Sequence, residues 1–365
     1  MPIRTILLHA LAIAALVLLL PGAHAAGYPA PQQADWTAPD FRFHTGEVLH
    51  DLRLHYTTVG DRGGEPVLII HGTAGTGTGM LNPEFAGELF GPGQALDARK
   101  YFIILPDTLG AGKSAKPSDG LRAKFPHYDY ADMVLAEYRL VTEGLGIHHL
   151  RLVLGNSMGG MHVWLWGVTY PGFADALVPM ASQPTAMAAR NWMLRKLMIE
   201  TVRQDPAYDN GNYTEQPRSL RYAAVFYATA TNGGTLAYQS LAPTTAKADA
   251  LVDARLAAPF TADANDWLYQ WDASRDYDPS SQLDRIDAAV LAINGADDER
   301  NPAETGVTQQ AMQHVKNGRL YLIPASAETR GHGTPGMAKF WAPQLAAFLQ
   351  STKTSPATAG DVKTR

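Results

Sequence analysis

Gly155-Asn156-Ser157-Met158-Gly159 carries the residue types that acyl transfer through a serine requires. A hydroxyl becomes a useful nucleophile when a sharp turn between a buried strand and a helix pushes it into the open. Glycines on either side let the chain pass close to itself, and the helix start supplies backbone N–H donors where negative charge develops. With 33 glycines in 365 residues, the spacing alone is weak. Its context gives it weight: the apolar run Leu150–Leu154 precedes it, and Val163, Trp166 and Tyr170 follow at helical spacing before Pro171-Gly172. A serine nucleophile needs a base, and the base needs an orienting acid. His332 stands between two glycines after the run Leu320–Ile323. The acid is expected after the run Ala289–Ile293, where Asp297 and Asp298 are adjacent and point in different directions. Three residues separate Asp298 from Pro302, which favours Asp298 and leaves Asp297 as the alternative. His71-Gly72-Thr73 closes the run Pro66–Ile70. The backbone N–H groups of Thr73 and Met158 are the expected pair of oxyanion donors.

Other chemistries fit less well. Gly110-Ala111-Gly112-Lys113-Ser114 looks like the end of a phosphate-binding loop, but that loop needs a glycine where Asp107 stands. His148-His149 are adjacent and cannot converge on one ion as spaced ligands do. The chain has no cysteine, so disulfides, thiolate metal sites and a thiol nucleophile are excluded. Neither a metal nor a cofactor is expected. A net charge of -5, with no long run of like charges, argues against nucleic acid as a partner. The expected partner is a small-molecule acyl substrate.

The candidate residues all follow apolar runs, so the elements that must position them are strands. Pro66–Ile70, Tyr101–Leu105, Leu150–Leu154, Ala176–Met180, Ala289–Ile293 and Leu320–Ile323 read as strands buried on both faces. Helical patterns between them predict a doubly wound, mostly parallel sheet. Phe41–Val59 reads as an antiparallel hairpin at the sheet edge, turning at Thr45-Gly46-Glu47. Between Ser182 and Leu283 the spacing is helical and aromatic-rich, which predicts an inserted cap over the C-terminal edge of the sheet. The expected organisation is a signal peptide over 1–25, an extended lead-in over 26–40, and a first core part over 41–181. A helical cap over 182–285, a second core part over 286–350 and a disordered tail over 351–365 complete it.

The serine, acid and histidine in this chain order resemble the α/β-hydrolase fold. A narrower resemblance, to the homoserine O-acetyltransferase-like branch of that fold, spans roughly Phe41 to Leu349. It rests on Tyr56-Thr57-Thr58-Val59-Gly60, Phe125-Pro126, Tyr130-Ala131-Asp132-Met133-Val134, Leu145-Gly146-Ile147, Gly159-Gly160-Met161 and the segment Asp205 to Tyr213. It implies the nucleophile role for Ser157, the acid role for Asp298, the base role for His332, and a homodimer. Asn156 departs from the branch, where a glycine usually precedes the nucleophile. The arginine that would hold a homoserine carboxylate has no clear counterpart; Arg195 and Arg203 are the candidates.

The N-terminus bears on which reaction follows. Arg4, the apolar stretch Ile6–Leu20 and the small residues around Ala23-His24-Ala25 form the pattern of a cleavable export signal. The apolar stretch falls short of the roughly 20 residues a membrane span needs, so no stable membrane insertion is expected after cleavage. A periplasmic or secreted location follows. Enzymes that acetylate homoserine draw on cytoplasmic acetyl-CoA. The first expectation is therefore an exported serine hydrolase cleaving a carboxylic ester or related acyl bond. The alternatives are an acyltransferase of the homoserine O-acetyltransferase type and a non-catalytic binding protein on the same scaffold.

Overall fold

The computed structural model describes residues 27–231 and 233–354. The signal expected over 1–25 and the tail beyond 354 lie outside them. One sheet of eight strands organises the described residues: β1 (Gln32–Arg42), β2 (Val48–Val59), β3 (Glu65–Ile70), β4 (Tyr101–Pro106), β5 (Leu150–Asn156), β6 (Ala174–Met180), β7 (Ala289–Gly295) and β8 (Gly318–Ile323). Their order across the sheet is β1-β2-β4-β3-β5-β6-β7-β8. The pairs β1–β2 and β2–β4 are antiparallel and the rest are parallel.

The helices are α1 (Ala86–Leu89), α2 (Tyr130–Arg139), α3 (Met158–Thr169), α4 (Ala189–Arg203), α5 (Arg218–Thr231), α6 (Thr235–Leu241), α7 (Thr245–Ala257), α8 (Ala264–Asp272), α9 (Val307–Met312) and α10 (Ala342–Ser351). Strand alternation sends neighbouring side chains to opposite faces. Leu152 and Leu154 of β5 join a core with Phe85, Trp341, Leu345 and Phe348, roofed by α1 and α10. Val153 joins the other core with Val134, Val163, Trp166 and Ala311, roofed by α2, α3 and α9. Such strands are apolar at successive positions because each face meets its own helical layer.

The expected lead-in over 26–40 is corrected in part: most of it is β1, paired with β2 from Gln32↔Thr58 to Arg42↔Val48. Its edge position explains the polar reading, since only Ala38 and Phe41 of that strand are buried. Pro39 is tolerated there because an edge strand has one unpaired side. The last helix runs through Ser351, the first residue assigned to the tail.

The region between β6 and β7 is helical, as expected. Helices α4, α5 and α8 pack around Met198, Ile199, Leu220, Tyr227, Leu268 and Trp271. Asp263 caps α8 by accepting from Asn265 N–H and Asp266 N–H. Among the described residues, no helix is long and apolar enough to cross a membrane.

Candidate active site

Strand β4 lies on one side of β3 and β5 on the other, so the chain reverses its winding between β3 and β5. Loops leaving the C-terminal ends of two such strands diverge, and the crevice between them is the place where open α/β sheets bind ligands. Ile70 pairs with Gly155, which sets His71-Gly72-Thr73 level with Asn156-Ser157.

Ser157 sits at that turn with φ 58° and ψ −114°, a conformation that L-residues rarely adopt. Its N–H donates to the Met180 carbonyl at 2.9 Å, and its own carbonyl receives the Met161 N–H at 3.0 Å. The flanking glycines are sterically required. A Cβ on Gly159 would stand 2.2 Å from the Ile70 carbonyl oxygen, and one on Gly155 would stand 2.3 Å from that of Gly159. The motif therefore reports how tightly α3 is pulled against β3.

The three side chains singled out for catalysis come together. Ser157 Oγ lies 2.7 Å from His332 Nε2, and His332 Nδ1 lies 2.8 Å from Asp298 Oδ2. All three are buried at the strand ends. Asp297 is not part of this chain of contacts; its Oδ2 accepts from the Thr329 hydroxyl at 2.6 Å. Asp298 Oδ1 accepts from the N–H groups of Arg300 and Asn301 at 2.8 and 3.2 Å. Burial pushes the Asp298 carboxyl up, but His332, Asn301 and the Arg300 N–H more than offset this and hold it below the usual carboxylate range.

Asn301 is a residue that the sequence does not single out. Its amide donates to Asp298 Oδ2 at 2.9 Å and to the Ala181 carbonyl at 3.0 Å, and lies 3.3 Å from His332 Nδ1. It ties the acid to the end of β6. The one signal for it in the sequence is a polar residue three positions after the acid.

Thr73 lines the same cavity as Ser157, and Met158 follows Ser157 directly. Met158 opens α3, where the first N–H groups have no partner within the helix. The loop of Thr73 is braced by its neighbours. The Gly72 carbonyl accepts the Gly75 N–H at 2.9 Å and lies 2.7 Å from His71 Nδ1. Thr108 N–H donates to His71 Nε2 at 3.1 Å, so the ring proton sits on Nδ1 and donates to Gly72. Burial keeps this imidazole below its ordinary pKa and hence neutral.

A cavity of about 430 Å³ opens over the serine, lined by Thr73, Ser157, Tyr227, Trp267, His332 and Met337 among others. Behind its Tyr227 wall lie two buried guanidiniums. Arg300 stacks 4.0 Å over the Tyr227 ring, and both Arg300 Nη1 and Arg195 Nε reach Asn191 Oδ1, at 3.3 and 3.4 Å. Burial pushes the Tyr227 phenol up, yet Arg300 and Arg195 hold it below its ordinary value. Arg195 bonds to Tyr130, and Tyr130 and Tyr227 each bond to Thr73, while Arg300 Nε is buried with no hydrogen-bond partner among the described residues. Arg203, the other arginine candidate, lies instead near Glu200 and Asp272 at 3.8 and 3.7 Å.

The profile of the family described as alpha/beta hydrolase fold matches residues 65–326. The chain belongs to the α/β-hydrolase fold family. Within that family it is 35% identical to a homoserine O-acetyltransferase of Thermobifida fusca over 191 residues, 47% of this chain and 50% of the relative. The chain spans about half the length of the curated relatives it matches. Among solved structures, this α/β-hydrolase resembles an acetylester hydrolase from Corynebacterium glutamicum, with TM-score 0.75 and 21% identity over 88% of this chain and 96% of the other. It also resembles homoserine O-acetyltransferase from Bacillus anthracis, with TM-score 0.74 and 21% identity over 89% and 99%. These likenesses show the fold.

One further group has metal-ligand types. His44, Asp129 and Asp132 bring ligand atoms within 4.8 Å of one another. Their contacts are already accounted for: Asp129 and Asp132 form the capping box of α2, and His44 Nδ1 lies 2.6 Å from Asp132 Oδ2. His149 Nε2 lies 2.9 Å from Asp175 Oδ1, on a separate element from His44.

Proposed function

We propose that this α/β-hydrolase is an exported serine hydrolase that cleaves a carboxylic ester or related acyl bond through an acyl-enzyme on Ser157. The observation that carries the reading is the contact chain Ser157 Oγ–His332 Nε2–Nδ1–Asp298 Oδ2, at 2.7 and 2.8 Å, on a serine with positive φ. His332 takes the hydroxyl proton as Ser157 attacks the carbonyl carbon. Asp298 holds the imidazole in the tautomer that leaves Nε2 free to accept, and stabilises the imidazolium that forms. Thr73 N–H and Met158 N–H receive the oxyanion, aided by the N-terminal end of α3. The imidazolium then protonates the departing alcohol. Water attacks the acyl-enzyme with His332 as base, and the serine is regenerated.

The two buried guanidiniums behind Tyr227, Arg195 and Arg300, with Arg300 Nε unpaired among the described residues, favour a substrate with an anionic or strongly hydrogen-bond-accepting group, since buried donors are costly when unpaired. Export is proposed from the N-terminal pattern, and recovery of a mature chain starting at Ala26 from the periplasm would support it; a cytoplasmic full-length chain would refute it.

The second reading is an acyltransferase, in which a small alcohol replaces water at the second step. It draws on the names of the relatives, homoserine O-acetyltransferases at 30–35% identity over about half their lengths. Both readings share the acyl-enzyme. Turnover of p-nitrophenyl acetate by the mature protein and by Ser157→Ala, with and without L-homoserine, separates them. Nitrophenol release that the variant abolishes, with free acetate as the product, supports hydrolysis. O-acetylhomoserine supports transfer. No release, and no labelling of Ser157 by a fluorophosphonate, supports a binding protein.

A further inference from the structure

The oxyanion loop after β3 is held from two sides, and one of them is the cap. From the core, the neutral His71 and the Gly75 N–H both occupy the Gly72 carbonyl. A trans peptide points its N–H opposite to its C=O. Fixing the Gly72 carbonyl therefore aims the Thr73 N–H the other way. The next peptide is held from above. Gln270, on α8 of the cap and 3% exposed, accepts the Ala74 N–H on Oε1 at 2.8 Å. Its Nε2 donates to the Gly110 carbonyl at 2.6 Å, in the loop after β4. These partners leave no ambiguity about the amide's orientation, because an N–H needs the oxygen and a carbonyl needs the nitrogen.

Ala74 also has φ 59°, a conformation that an alanine does not hold unaided. Something must over-determine it, and Gln270 supplies a direct bond to its amide. Helix α8 is itself registered on the core. Asp266 accepts from Ser118 N–H and Oγ at 2.8 and 2.6 Å, and the Tyr269 hydroxyl donates to the Phe125 carbonyl at 2.8 Å. On its other side α8 carries Leu268 and Trp271 into the core of the cap.

We infer that Gln270 is a positioning residue that couples the seating of the cap to the geometry of the oxyanion loop. It touches neither Ser157 nor His332 in the contacts above and acts through the Thr73–Ala74 peptide. When α8 is seated, the loop is held with Thr73 N–H presented beside Ser157. When α8 shifts, the Ala74 amide is released and the donor goes out of line. The inference rests on the proposed oxyanion role of Thr73.

The test compares Gln270→Met, which removes both bonds at similar length, with Gln270→Glu, which keeps an acceptor for Ala74 N–H and loses the donor to Gly110. Three readouts are taken: hydrogen exchange of peptides covering residues 71–77 with β5 as internal reference, the rate of Ser157 labelling by a fluorophosphonate, and kcat and KM on p-nitrophenyl acetate. Removing an oxyanion donor outright costs roughly 10²–10³ in kcat, and misplacing one is expected to cost about 10- to 100-fold. Gln270→Met should therefore exchange faster over 71–77 with β5 unchanged. It should also label more slowly and lose kcat by that factor with KM within about two-fold. Gln270→Glu should fall between it and the parent. Unchanged exchange over 71–77 overturns the inference, whatever the enzyme does. Faster exchange with unchanged labelling and kcat overturns it too. Failure of the parent protein to label or turn over counts against the acyl-enzyme reading instead, and the exchange rates over 71–77 then decide by themselves whether Gln270 holds the loop.

Discussion

Replacing Ser157 by glycine and, separately, by alanine isolates the strain stored at the turn between β5 and α3. Both variants lose the hydroxyl and its 2.7 Å contact with His332, so that loss cancels between them. What differs is the cost of holding a side chain at φ 58° and ψ −114°. A residue kept in such a region stores about 1–3 kcal/mol, and this one lies far from every favoured basin, at the upper end of that range. Against the relief stand glycine's greater freedom in the unfolded chain, about 0.5–1 kcal/mol, and one buried carbon, up to about 0.8 kcal/mol. The balance leaves Ser157→Gly more stable than Ser157→Ala by about 1 kcal/mol, with both inactive. Urea denaturation of the two variants, with equal m-values as a check on comparability, measures the difference. A glycine variant equal to or weaker than the alanine variant would refute the argument that the turn is strained.

Three further outcomes are expected. Asn301→Ala removes a donor from a buried carboxylate, which is worth about 1.5–3 kcal/mol. Its kcat/KM on p-nitrophenyl acetate should fall by about 10- to 100-fold, and an unchanged value would show that Asn301 does not hold the acid. Burial pushes the Asp266 carboxyl up to about 6, despite its hydrogen bonds from Ser118. A raised acid stabilises the fold below its unfolded pKa, near 4, and that contribution is lost as pH rises through about 6. Asp266→Asn keeps both Ser118 contacts without the charge. It should melt higher than the parent at pH 8, by up to ~3 kcal/mol in stability, with the gap closing near pH 4; a gap independent of pH would contradict this. Gly159→Ala places a Cβ 2.2 Å from the Ile70 carbonyl oxygen, so α3 must move off β3. Loss of soluble protein or a large fall in melting temperature is expected, and a variant as stable as the parent would show that the contact relaxes freely.

The parts of the site that can be read from the residues are those fixed by short-range sterics. Gly155 and Gly159 are required by the closeness of α3 to β3, so the turn is written in two residues. Strands such as β5 are legible because both faces meet helices. Asp297 and Asp298 can only be ranked, because the direction of each carboxylate is set by the loop around it. Asn301 and Gln270 are invisible for a related reason: an amide's partners are chosen by tertiary packing. The same holds for Arg195, whose burial behind Tyr227 depends on how α4 and α5 meet. Strand β1 reads as a lead-in because an edge strand with few buried positions carries no alternation. The residues matched by the family profile, 65–326, stop short of His332, which is found instead from its place after the last strand.

The placement of the cap between β6 and β7 also governs how the protein is made. Met180 pairs with Ile293, so everything from 181 to 292 must be looped out before those neighbouring strands can zip together. Contacts of such sequence separation form slowly. Ser157 emerges from the ribosome early, Asp298 far later and His332 later still. With the roles proposed for them, a growing chain therefore holds its nucleophile without its base while the 175 residues from 157 to 332 are added, and reactivity is expected only once the C-terminal quarter docks.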